Sequence, residues 1–197
     1  RNVNMVVHRS PTGGPEPWPW RGAALAMYLV RWMSVCMGAV TVLMGYLLAR
    51  EIYPQDNRLA LGAAAITALN PMFLFITASV NNDALVIMLC AIGIWLIVRY
   101  IAMEPRWWQW ALLGAVSGLA ALSKASALGL LPLAALAGVV AAWRARRGRP
   151  WRWFLVHVLR TGLLIGLPLL LIAGWWYYRN WQLYRDPLGL NAFVAIV

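Results

Sequence analysis

The sequence predicts an all-α, polytopic transmembrane helix bundle of about six spans, and three observations carry that reading. First, 62% of the 197 residues are hydrophobic and only 12% are charged, whereas soluble domains average about 25% charged residues. Second, two long stretches carry one charge each: Asp83 between Arg58 and Arg99, and Lys124 between Arg106 and Trp143. Each stretch is too long for one helix across a roughly 30 Å hydrocarbon core and suits two. A single straight helix would also bring Asp83 or Lys124 near mid-membrane, at about 2.5–3.5 kcal/mol on insertion scales, so a hairpin turning at the charge is preferred. Third, the net charge of +11 comes from 16 Arg and the single Lys124 against six acids, and these charges gather between the apolar stretches. Such a composition excludes a disordered chain and leaves too little polar sequence for a nucleic-acid surface.

Residues 1–22 read as the end of an outer loop. Pro and Gly make Pro11–Trp20 irregular, with Trp18 and Trp20 at headgroup level. Spans are expected at 23–49, 59–80, 84–101, 107–122, 125–143 and 160–178, followed by an outer-face segment, 179–197. Trp107, Trp108 and Trp110 open a span, Trp143, Trp151 and Trp153 flank an arginine cluster, and Trp175, Trp176 and Trp181 close the last helix. An interfacial belt accounts for these rings without sugar stacking. Trp151–Leu159 mixes Arg, His and aromatics and reads as a short interfacial helix before the last span. Pro168 is expected to kink that span. Cys36 and Cys90 fall inside spans, away from any metal-ligand or disulfide pattern, and are expected to be buried packing residues. The hairpins 59–101 and 107–143 resemble each other weakly and run in the same direction, unlike the inverted repeats of many transporters.

The turns divide into two sets. One carries Arg50, Arg58, Arg99, Arg106, Arg144, Arg146, Arg147, Arg149, Arg152 and Arg160; the other carries Arg1, Arg9, Arg21, Lys124, Arg179 and Arg185. Ten against six places the first set in the cytoplasm and both ends of the chain on the outer face. The chain begins with Arg1 in a polar outer segment, which implies a preceding span. The expectation is a fragment that lacks the first span and most of the first outer loop.

Four polar groupings fall on the expected outer face: Asn70-Pro71 with Ser79–Asp83, Ser123–Ser126, Tyr177–Pro187, and His8-Arg9 with Arg31 about two turns into the first span. Asp83 and Lys124 stand out because a charge at the membrane carries an insertion cost. Three readings are open. Asn82 or Asp83 caps the helix starting at Ala84; Asp83 and Lys124 form an ion pair; or the outer face is an anion site with an acid beside it. In the third reading Lys124, Arg179 and Arg31 hold a phosphate, and Asp83, with Asn81 and Asn82, orients a sugar or orients or deprotonates a hydroxyl. Snorkelling to the interface is the plain alternative for Lys124 and Arg179, and His8 reads as an ordinary loop histidine.

The blocks NPMFLFITASVNNDALV (70–86), GLAALSKASALGLLPL (118–133) and WWYYRNWQLYRDPLG (175–189) resemble membrane glycosyltransferases of the GT-C superfamily. The branch is the family 39 type, with protein mannosyltransferases, aminoarabinose transferases and Rgt-like lipopolysaccharide transferases. Residues 29–54 resemble the second family span and its cytoplasmic turn. The resemblance implies transfer of a sugar from a polyprenyl-phosphate donor to a glycan, lipid or protein acceptor, on the outer face of what is expected to be a bacterial plasma membrane. It implies a basic role for Lys124 in the GLAALSK block and for Arg179 in WYYRN, and places Asp83 where the family often has a further acid. The family's first-loop acid has no counterpart here; Glu16, the only acid in 1–22, does not match its setting. The main base is therefore expected upstream of Arg1, and residues 1–197 alone are expected to be inactive. No cofactor is expected, no metal-binding residues are assigned, and a divalent-metal requirement stays open. Two other classes stay open: a transporter or flippase for a lipid-linked or anionic solute, and a non-catalytic membrane subunit. Alternating access needs polar groups at mid-membrane or a cytoplasmic-side pocket; the spans offer only small polar residues such as Ser34, Cys36 and Thr41, so a one-sided enzyme site is preferred.

Overall fold

The computed structural model describes residues 21–189, and these are helical, with no strand among them. In order they form α1 (Gly22–Ile52), α2 (Asn57–Ala68), α3 (Pro71–Ala78), α4 (Asp83–Ala102), α5 (Trp107–Ser123), a 3₁₀ turn (Ala125–Gly129), α6 (Leu130–Ala145), α7 (Trp151–Leu169), a π turn (Leu170–Gly174) and α8 (Trp175–Tyr184). The chain is an all-α polytopic bundle. Ala24–Ile52, Asp83–Ala102, Ala125–Ala145 and Trp151–Tyr184 are each long and apolar enough to cross a membrane. The pair α2 and α3 qualifies together, bent by 59° at its break. At 17 residues, α5 is short for a span by length alone. It nevertheless runs antiparallel to α4 over the same thickness: Tyr100 meets Trp110 edge-to-face at 5.5 Å at one end, and Asn82 reaches the Ser123 carbonyl at 3.4 Å at the other.

Large apolar residues point outward; Leu171, Ile66 and Phe75 are 79%, 77% and 73% exposed. The centre mixes fully covered alanines (Ala60, Ala120, Ala134, Ala137 and Ala142) with large side chains such as Tyr100, Trp110 and Leu113. Large apolar residues on the outside suit an outer solvent as apolar as leucine, and the small ones inside allow close backbone approach. The closest approach is at Gly114 and Gly118 of α5, which lie against the backbone of Ile165 and Leu169. Thr41, Thr67 and Thr77 donate to the carbonyls four residues before them, which satisfies their hydroxyls away from water.

The expected span 59–80 is broken at its middle. Asn70 Oδ1 accepts from the N–H groups of Met72 and Phe73, and Pro71 opens α3, so one helix stops and a capped one starts. Asn70-Pro71 therefore serves this break, partway along the bundle, and does not join the polar end where the sequence reading placed it. Asp56 caps α2 in the same manner, through Arg58 N and Leu59 N.

Two further expectations are corrected, those for Trp151–Leu159 and for the cysteines. Trp151–Leu159 is not a separate interfacial helix, because it forms the first turns of α7, which continues through the π turn to Tyr184. The helix continues through Pro168, and a π turn follows at Leu170–Gly174. Cys36 is exposed and Cys90 half-buried; Cys36 lies beside the exposed Trp32 and Met33 of α1, in an apolar groove bordered by Met88 of α4. Residues 1–20 and 190–197, with His8, Arg9, Glu16, Trp18 and Trp20, lie outside the described residues.

Candidate functional site

The bundle has two polar ends. At the arginine-rich end, Arg99 pairs with Glu51 at 3.5 Å and Arg144 donates to the Ile101 carbonyl at 2.7 Å, which ties the ends of α1, α4 and α6 together. The opposite end gathers the α3–α4 turn, the α5–α6 turn and the start of α8.

At that end Lys124 Nζ donates to Asp83 Oδ1, forming an ion pair across the two hairpin turns. The two positions are 41 residues apart in sequence and are joined because α4 and α5 are antiparallel neighbours. Their side chains keep 42% (Lys124) and 31% (Asp83) of their exposure, so a third polar group can reach either one. The cap of α4 is not built by Asn82 or Asp83. Asn81 Oδ1 accepts from the N–H groups of Asp83 and Ala84, and its Nδ2 donates to Ser79 Oγ at 2.7 Å. With the cap supplied by Asn81, the Asp83 carboxylate is left for Lys124. Asn82 instead bridges the turns through its bond to the Ser123 carbonyl.

Other carbonyls at the end of α5 are also satisfied. Ala120 O accepts from Lys124 N, and Tyr177 Oη on α8 donates to Ala121 O at 2.7 Å. These bonds hold Lys124 on a turn whose backbone has little freedom, as irregular backbone at membrane depth requires.

Arg31 and Arg179 reach this end by different routes. Gly38 of α1 packs against Thr77 of α3. Arg31 is seven residues earlier, on nearly the same stripe, which places it roughly 10 Å further toward the Ser79–Asp83 turn. Arg31 is exposed and makes no hydrogen bond or ion pair among the described residues. About 18 uncharged residues lie between Arg31 and Arg50, or about 27 Å of helix, close to one hydrocarbon thickness. Arg179 follows Tyr177 by two residues and so faces away from α5. It lies over the Trp176 ring at 5.3 Å, and the structure does not bring it to the Asp83–Lys124 pair.

The site is therefore a paired acid and base, an amide-rich turn beside them and an unpaired guanidinium above. It can hold an anion and orient a hydroxyl. Among the described residues no three His, Cys, Asp or Glu side chains cluster as a metal site. Sequence reasoning included Tyr177 in a polar grouping without a role, and it missed the Gly114–Gly118 contact, for which small residues four apart were the available signal.

The described chain is thus an α-helical polytopic membrane bundle with a polar site at one end. The chain belongs to the dolichyl-phosphate-mannose-protein mannosyltransferase family, which it matches over residues 22–176, and is a membrane glycosyltransferase of the GT-C type. Asp83 and Lys124 lie inside the matched stretch and Arg179 just beyond it. No curated protein and no solved structure matches the chain.

Proposed function

We propose that the Asp83–Lys124 end is the donor-phosphate side of a glycosyl-transfer site, facing the outer side of a plasma membrane. The observation that supports this reading is the ion pair itself: a lysine held on a fixed turn, half-exposed, beside the carboxylate of the next helix. The concentration of arginine at the opposite end supports the orientation.

In the reaction the bond between the sugar's anomeric carbon and the phosphate oxygen breaks, and one forms from the acceptor hydroxyl to that carbon. The hydroxyl proton passes to a carboxylate base, and the polyprenyl phosphate leaves with one more negative charge. Lys124 stabilises that charge as it develops, and Arg31 supplies a second cation from α1. Arg179, held over Trp176, attracts the phosphate from headgroup level. Asp83, already paired, serves as an orienting group, accepting from a sugar or acceptor hydroxyl, with Asn81 and Asn82 beside it, while the base is a separate group. The donor is a polyprenyl-phosphate sugar and the acceptor a glycan, lipid or protein hydroxyl.

The test measures transfer of label from dolichyl-phosphate mannose, and from other polyprenyl-phosphate sugars, in membranes holding the full-length protein. Lys124→Ala and Asp83→Asn are each expected to lower transfer at least tenfold, about 1.4 kcal/mol, with unchanged membrane insertion. Full activity in both variants refutes the site.

A further inference from the structure

The arginine-rich end contains a feature that orientation alone does not require. A cavity of about 300 Å³ opens between the α4–α5 turn, the end of α6 and the start of α7, bordered by Glu104, Arg144, Arg147, Arg149, Trp153 and His157. The positive-inside effect needs basic residues near the membrane; it does not need them to converge on one hollow. We propose that this cavity binds the phosphate of an anionic ligand, carried by a phospholipid headgroup or free in solution.

The cations are held in place by the fold. Arg144 is anchored by its bond to the Ile101 carbonyl, which uses one of its five N–H donors and leaves others for a ligand. Arg149 lies over Trp153 at 4.4 Å, and Trp153 stacks on His157 at 4.8 Å with the rings inclined by 20°. Arg146 stacks on Trp151 at 4.1 Å, and its Nε donates to Arg149 O at 2.9 Å, closing the turn. That turn places Arg147 and Gly148 at φ of 33° and 82°, a left-handed bend that glycine accepts readily and arginine disfavours.

The charges in the hollow are unbalanced. Three guanidiniums face one carboxylate, Glu104, and among the described residues none of the four groups forms an ion pair. Guanidinium forks match phosphate oxygens in geometry as well as in charge. The exposed Trp107, Trp143 and Trp151 rings set the hollow at headgroup level, where basic pockets between transmembrane helices meet lipid phosphates. The site lies at the other end of the bundle from Asp83 and Lys124, so the inference is independent of the transfer reaction.

The experiment titrates the detergent-purified full-length protein with short-chain phosphatidylglycerol, phosphatidylcholine or inorganic phosphate and counts bound ligand by native mass spectrometry. Arg147→Gln/Arg149→Gln is compared with Arg58→Gln/Arg152→Gln, which removes equal charge at the same end but outside the hollow. Phosphatidylglycerol is expected to bind in preference to phosphatidylcholine, about tenfold more weakly in the cavity variant and within about threefold of the parent in the control. Inorganic phosphate binding with the same variant pattern, without a phosphatidylglycerol preference, supports the site and assigns it to a soluble ligand. Equal losses in both double variants, or no preference for either phosphate ligand over phosphatidylcholine, overturn the proposal. Arg147→Gln alone, at a side chain with no bond in the described fold, repeats the measurement if the double variant loses helicity.

Discussion

Replacing Gly114 by alanine tests the packing that fixes the site end. A β-carbon at Gly114 would sit 2.2 Å from the Ile165 carbonyl oxygen and 2.9 Å from its carbonyl and α carbons. Carbon and carbonyl oxygen approach at roughly 3.3–3.6 Å, so α5 and α7 must part by about 1 Å, with loss of dispersion contacts along their shared face. Overpacking costs typically about 1–3 kcal/mol, and here the obstacle is backbone, which cannot rotate aside, so about 3 kcal/mol is expected. Gly118 is less confined, with its nearest atoms, Leu169 Cα and Ile172 Cβ, at 3.1 Å. About 1 kcal/mol is expected there. Gly62 meets nothing within 4 Å, and Gly62→Ala should be neutral or stabilising by up to about 1 kcal/mol, from helix propensity alone. Unfolding in mixed micelles of rising SDS fraction, followed by far-UV circular dichroism, gives the order Gly114→Ala, Gly118→Ala, Gly62→Ala from least to most stable. If Gly114→Ala unfolds within about 0.5 kcal/mol of the parent, the close α5–α7 contact does not exist.

Other predictions concern the turns and the orientation. Asn81→Ala removes the acceptor for two N–H groups at the start of α4 and should cost about 1 kcal/mol in the same assay; Asn81→Asp, which keeps an acceptor there, should recover most of it. Tyr177→Phe leaves Ala121 O without its donor and is expected to cost about 1 kcal/mol, with helicity unchanged before the transition. In a background without Cys36 and Cys90, cysteine at Ser126 should react with a membrane-impermeant maleimide on intact cells. Cysteine at Gly148 should react only after permeabilisation, and the reverse pattern would invert the proposed sidedness.

Much of the architecture was legible along the chain because a membrane imposes a one-dimensional constraint. Apolar length, interrupted by Asp83 and Lys124 and bounded by arginine, is enough to locate helices and their turns. The capped break at Asn70-Pro71 was less visible, because a hydropathy window averages over one amide and one proline. Cys36 was misjudged for a related reason: hydropathy identifies a residue as membrane-embedded but does not separate a face that packs on helices from one that meets lipid.

By itself, the sequence determined that this is a helical membrane protein and which few ionisable groups stand at the turns between its apolar stretches. Tertiary structure decided what those groups do. Asp83 and Lys124 meet because α4 and α5 lie antiparallel, while Asn81 takes over the cap and leaves Asp83 free to pair. Arg179 turns away because two helical residues rotate it by about 200° from Tyr177. The arginines of the other end converge on one hollow because α6 and α7 are joined by a left-handed turn. Hydropathy follows position along the chain, whereas a site depends on which side chains face one another, and that is set by helix rotation and neighbour choice, quantities that a linear pattern does not encode.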